Sequence, residues 1–265
     1  MIIVGELINA SRKSIAAAIE SGDADQIGKI AVDQADAGAQ YIDVNAGIFV
    51  GKETGYLKWL TQTVQSNIDR PCALDSPDPD ALLAAIAVHR GIPMINSISL
   101  EKERFDSLMP VIAGTGFHVV ALCMSDDGMP ESVEDRLKIA DKLVNALTRN
   151  GIPIDHIYLD PLVQPLSVNS RFGMEFLNSI EEIARLFPGI HTMCGLSNIS
   201  YGLPNRKSLN HTFMSMAIAK GLDGAIVNPL DKRMMGCIVT AEALTGRDEY
   251  CSKYLKAFRS GKLEF

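Results

Sequence analysis

Eight short apolar runs, each followed by a helix-length stretch, recur along this chain at intervals of roughly 30 residues, the length of a strand–helix unit. They read MIIVGE, YIDVN, CALD, PMIN, HVVALCMS, IYLD, MCGLSN and GAIVN. Six end on a carboxylate or carboxamide: Asn45, Asp75, Asn96, Asp160, Asn198 and Asn228. The other two reach Glu6, with Asn9 just beyond, and Ser125. Strands alternating with helices in this number predict an α/β protein, a closed (β/α)8 TIM barrel, whose strand ends converge on one mouth. The groups expected there are amides and carboxylates, which suit a flat heterocycle carrying many N–H and C=O groups.

The spacing predicts strands at roughly 2–5, 41–45, 71–75, 92–96, 117–122, 156–160, 190–194 and 223–227. The first helical stretch runs toward Gly38, and a closing helix covers about 249–258. Ser76-Pro77-Asp78 is a good helix start, because Ser or Asp side chains accept the first unpaired backbone N–H groups. The connection from Pro161 to Arg171 is longer than a strand–helix unit needs, which marks it as functional or mobile, and Gly195 to Arg206 is a second unusual loop.

Length and composition narrow the rest. The 265 residues carry no Pro/Gly/Ser-rich linker or charge block, so one domain spanning 1–265 is expected. A net charge of −7 with no Lys/Arg cluster argues against nucleic acid, whose phosphates require clustered positive charge. No apolar run approaches the ~18 residues of a membrane span, and the amino terminus opens directly on a strand-like segment. Five cysteines without close pairing fit a reducing, cytoplasmic compartment better than a disulfide framework.

The histidines are scattered, and His118, His156 and His191 fall near strand starts, on the barrel face opposite the mouth. No HxH, HExxH or CxxC spacing indicates a bound metal, and no lysine at a strand end suggests Schiff-base chemistry. Cys72, Cys123 and Cys194 read as core packing; a thiolate–zinc site would need their sulfurs to converge. A single Asn or Asp after a strand often merely caps a turn, but six at equivalent positions favour a shared role. Asp75 and Asp160 can each accept two parallel N–H bonds, while Asn96 and Asn198 can both donate and accept. Glu6, Asn9 and Asp43 either line the same mouth or buttress it. Arg206 either meets a carboxylate tail or is solvated.

Taken together and in order, GELINAS, YIDVNAG, CALDSP, MINSIS, YLDPLV and GLSNISYGLPNR resemble the pterin-binding methyltransferases. The likeness to the methyltetrahydrofolate:corrinoid protein branch covers essentially the whole chain. It implies a barrel with the pterin ring deep in the mouth, held by Asp75, Asn96 and Asp160, with Asn45, Glu6 and Asn9 nearby. It implies that Asn198 reaches N5, the atom bearing the methyl group, flanked by Gly195 and Ser197. The implied reaction is a direct displacement between N5 of (methyl)tetrahydrofolate and the cobalt of a cobalamin carried by a separate corrinoid protein. In one direction Co(I) attacks the methyl and N5 leaves. The family also implies a homodimer. Tyr201 stands where some corrinoid-branch relatives carry Gln, and the Ser-x-Arg pattern of dihydropteroate synthase is missing after the last strand. The rival expectations are a dihydropteroate synthase-like enzyme and a non-catalytic folate-binding subunit.

Overall fold

A computed structural model describes residues 1–263. The elements run β1 (Ile2–Asn9), α1 (Lys13–Ser21), α2 (Ala24–Asp36), β2 (Tyr41–Asn45), α3 (Glu53–Asn67), β3 (Cys72–Asp75), α4 (Pro79–Ile86), β4 (Met94–Leu100) and α5 (Lys102–Ile112). They continue with β5 (His118–Ser125), α6 (Val133–Arg149), β6 (Ile157–Asp160), α7 (Phe172–Leu186), β7 (His191–Thr192), α8 (Arg206–Ala219), β8 (Gly224–Val227), α9 (Lys232–Leu244) and α10 (Ser252–Arg259). All the strand pairings are parallel, in the order β7-β6-β5-β4-β3-β2-β1-β8.

The barrel closes where regular pairing is thinnest. Met193 N–H still donates to Leu159 O of β6 at 2.8 Å. One residue later the chain changes partner: Cys194 O accepts from Ile226 N–H of β8 at 3.0 Å, and Gly195 bridges Ile226. That switch leaves β7 two residues long, against the five expected. By contrast β1, β4 and β5 run past their expected ends. Beyond Asn96, β4 keeps its ladder with β5 through Ile98↔Ala121 and Leu100↔Ser125, with register shifts between them. Asn96 is therefore a mid-strand residue. The first helical stretch is two helices, because Gly22 turns left-handed (φ 68°) and Asp23 caps the second by accepting from Gln26 N–H.

Period-two alternation places the site. Val4, Tyr41, Ala73, Met94 and Tyr158 point inward and plug the barrel below the mouth. Two residues further along the same strands stand Glu6, Asp43, Asp75, Asn96 and Asp160. The opposite faces of the strands pack Ile3, Ile42, Leu74, Ile95 and Leu159 against the helices, forming the main core.

Candidate active site

The plug forces the next inward layer to be polar, and its members pair with one another. Asn96 donates through Nδ2 to Asp43 Oδ1 at 3.0 Å, and Asn45 donates through Nδ2 to Asp75 Oδ2 at 2.8 Å. Asn45 Oδ1 accepts from Gly47 N–H at 3.0 Å, so that carboxamide is fixed at both ends. Each amide thus spends an N–H on a carboxylate and leaves carboxylate oxygens open to the mouth. Asp160 accepts from Leu162 N–H through Oδ1 at 2.8 Å and from Gly195 N–H. Glu6 accepts from Arg12 Nη2 at 2.9 Å.

Four carboxyl groups in so dry a place resist ionisation. Burial, the charge of Asp75 and that of Glu6 hold Asp43 well above the usual carboxylate range, against the Asn96 hydrogen bond. Burial also raises Asp75, opposed by the Asn45 bond and the Arg104 guanidinium, and raises Glu6, opposed by Arg12. Burial pushes Asp160 up to about 7, although two backbone N–H groups and Arg136 favour its anion. The mouth is acceptor-rich and its charge is adjustable near neutral pH.

The two long connections are laced together. Leu166 N–H donates to Ile199 O at 3.1 Å, and Ser167 Oγ donates to Tyr201 O at 2.7 Å. Leu196–Ser200 is a 3-10 turn carrying Ser197 and Asn198, both exposed. Arg206 opens α8, is exposed, and its charge acts on Glu6. Its guanidinium donates to Ser197 O at 2.7 Å and Ser200 Oγ at 3.0 Å, bracing that turn beneath Asn198. Asn9 spends its side chain as a turn cap, accepting from Ser11 N–H at 2.9 Å, and Asn228 does the same for Leu230 N–H at 2.9 Å. The layer therefore comprises Glu6, Asp43, Asn45, Asp75, Asn96 and Asp160, with Gly195, Ser197 and Asn198 beside it.

Several supporting residues escape sequence reasoning. Arg104 donates to Ser97 O through Nε at 2.9 Å and Nη2 at 2.6 Å, pinning the chain beyond Asn96. Glu53 accepts from Ser76 Oγ at 2.5 Å behind Asp75. Nothing in a helical Arg or Glu announces such a contact before the fold is known. Asp43 was legible: in YIDVN, residues 41, 43 and 45 share one face of the strand.

The remaining sequence features lie elsewhere. His118 and His191 stack on the plug residue Tyr158, and His156 stacks on His118, at the strand-start end of the barrel. Cys72, Cys123 and Cys194 are buried, and burial pushes the Cys72 thiol up to about 12. Among the described residues no group of three or more His, Cys, Asp or Glu could hold a metal ion, and no helix is long and apolar enough to cross a membrane.

Comparison with known proteins agrees with this geometry. The family model "Pterin binding enzyme" matches residues 5–228. The methylcorrinoid:tetrahydrofolate methyltransferase of Eubacterium limosum is 38% identical over 265 residues, covering 99% of this chain and 98% of that protein. Methionine synthase of Mycobacterium tuberculosis is 31% identical over 242 residues, which is 86% of this chain but 20% of that longer protein. Among solved structures, a dihydropteroate synthase from Coxiella burnetii in complex with pteroic acid has TM-score 0.74 at 19% identity, covering 93% of this chain and 94% of its own. At that identity it supports the fold alone. The chain belongs to the pterin-binding enzyme family, in its methylcorrinoid:tetrahydrofolate methyltransferase branch.

Proposed function

We propose that this chain moves a methyl group between the cobalt of a corrinoid on a separate protein and N5 of tetrahydrofolate, with the barrel mouth as the pterin seat. The observation that carries the reading is the ring of carboxyl groups (Glu6, Asp43, Asp75, Asp160) whose neighbouring amides already face them. Such a ring wants donors, and a reduced pterin offers an amide N–H, an exocyclic amine and ring N–H groups. Asp75 and Asp160 accept from the ligand's donor edge, while Asn96 contributes its free carbonyl oxygen. Position rather than acid–base chemistry is what these groups supply.

Asn198 is the proposed contact to N5. In the direction written in the Eubacterium limosum protein's name, N5 attacks the methyl carbon, the carbon–cobalt bond breaks with its electron pair staying on cobalt, and N5 releases its proton. Positive charge grows on N5 as the new bond forms. A carboxamide that accepts from N5–H there, and donates to the bare N5 lone pair otherwise, serves both directions without carrying charge itself. The rim around the mouth supports a protein-borne cobalt: Val50 is 91% exposed, Val168 74%, Tyr201 64% and Met129 64%, each on a different loop. The proposed corrinoid partner would cover these side chains when its cobalt reaches the mouth.

We further propose a homodimer in a reducing, cytoplasmic compartment; sedimentation of the purified chain tests its assembly. The activity is tested by mixing the protein with 5-methyltetrahydrofolate and cob(I)alamin and following methylcobalamin, then running methylcobalamin with tetrahydrofolate. Transfer in both directions is expected. Tight folate binding with no transfer either way would leave a non-catalytic folate binder.

A further inference from the structure

Arg136 is the largest side chain that is fully buried in this protein, with 0% exposure, and no ion pair closes on it among the described residues. Its guanidinium spends itself on backbone. Nε donates to Pro161 O at 2.7 Å, Nη1 to Ser132 O at 3.1 Å and Nη2 to Leu162 O at 3.5 Å. Two of those carbonyls follow Asp160 directly. Leu162 sits in the left-handed region (φ 63°), a costly conformation for a residue with a Cβ. Its N–H is the group that occupies Asp160 Oδ1. The strained residue is therefore held from both sides, by the carboxylate at its N–H and by the guanidinium at its carbonyl. A buried charge kept at such expense needs a use.

We propose that Arg136 is the positioning residue for Asp160: by clamping the Pro161 and Leu162 carbonyls it fixes the Leu162 N–H against Oδ1 and so, together with the Gly195 N–H, sets the direction in which the carboxylate meets the ligand. The inference rests on the reading that Asp160 meets the pterin. The charge of Arg136 also favours the Asp160 anion that two ligand N–H groups require. The other titratable groups facing Asp160 are the thiols of Cys123 on β5 and Cys194 after β7, both held neutral by burial. Asp135 on α6 and Glu175 on α7 act on Arg136 from its far side.

The experiment compares wild-type protein with Arg136→Met, which removes charge and clamp, and Arg136→Lys, which keeps charge but cannot bridge both carbonyls. Ionisation of Asp160 is followed by its carboxyl carbon resonance in ligand-free protein, assigned with Asp160→Asn. The expected result for Arg136→Met is a midpoint raised by about one unit or more, with a smaller rise for Arg136→Lys. Affinity for 5-methyltetrahydrofolate should drop by about tenfold in both variants at neutral pH, while methyl-transfer kcat at saturating folate changes little. Because the midpoint needs no ligand, it decides the proposal even if wild-type protein fails to bind folate, an outcome that sinks only the functional reading. An unchanged Asp160 midpoint in a folded Arg136→Lys or Arg136→Met protein overturns the role given to Arg136. If Arg136→Met does not fold, Arg136→Lys and the strain-relieving Leu162→Gly carry the test: the latter should restore much of the affinity lost in Arg136→Lys, and failure to restore any counts against the clamp.

Discussion

Asn198 and Asp160 stand in the same mouth but are asked to do different things, and kinetics can separate them. Asp160 is buried and is proposed to hold ground-state ligand; Asn198 is exposed on a braced turn and is proposed to meet the charge that changes on N5 as its bond to the methyl forms or breaks. Asn198→Ala should therefore lower methyl-transfer kcat by about a hundredfold with folate affinity within a few-fold of wild type. Asp160→Ala should instead weaken folate binding by roughly tenfold or more, with a smaller effect once the site is saturated. Stopped-flow formation of methylcobalamin alongside equilibrium binding separates the two terms. Equal losses in both terms for Asn198→Ala would remove it from N5.

At the scale of elements, the barrel seam is the place where one atom decides closure. Gly224 opens β8 beside β7, and a Cβ there would meet the Thr192 carbonyl oxygen and Met193 Cε, each at 2.9 Å. The carbonyl cannot move without disturbing the short β7 pairing. Gly224→Ala should cost about 1–3 kcal/mol and lower Tm by roughly 2–10 °C, measured by calorimetry. A melting temperature equal to wild type would mean that the seam yields more easily than its geometry implies. The same seam explains what the sequence hid. Eight runs could be counted from hydrophobicity and turn residues, and seven lie on strands, while MCGLSN begins just after the short β7 and runs into the 3-10 turn. Where β7 stops and β4 goes on depends on which neighbour each backbone group finds, and no side-chain pattern records that. Likewise, the alternation Tyr41, Asp43, Asn45 was readable as one face of a strand, whereas Arg104 and Arg136 acquire their meaning only when distant loops arrive beside them.

For the whole molecule, the four mouth carboxyls make ligand-free stability depend on pH in an unusual sense. Glu6, Asp43, Asp75 and Asp160 all bind a proton more tightly in the folded state than in the unfolded chain. Stability from such groups is fully present below the unfolded carboxylate range and is lost as pH rises through the folded value, about 7 for Asp160. His191, raised by its 2.6 Å bond to Asp223, loses its contribution in the same direction, above the ordinary histidine value. His118, lowered to about 4 chiefly by burial, acts oppositely, but only below the ordinary histidine range. From the ordinary histidine value up through the Asp160 value of about 7, then, the ligand-free Tm should fall, and added 5-methyltetrahydrofolate should stabilise more at the upper end, where its donors meet anions. Paired calorimetric scans across that window check it; a ligand-free Tm that climbs with pH would contradict the protonated mouth.

The exposed apolar rim carries a consequence for the order of events. A partner seated on Val50, Met129, Val168 and Tyr201 would cover the mouth and shut bulk water out of it. Bulk protons would be shut out with the water. Whatever proton inventory N5 and the surrounding carboxyls need for one methyl transfer must then be settled while the mouth is open. Timing, rather than a dedicated acid, becomes the means of controlling protonation, and the docking step acts as its clock.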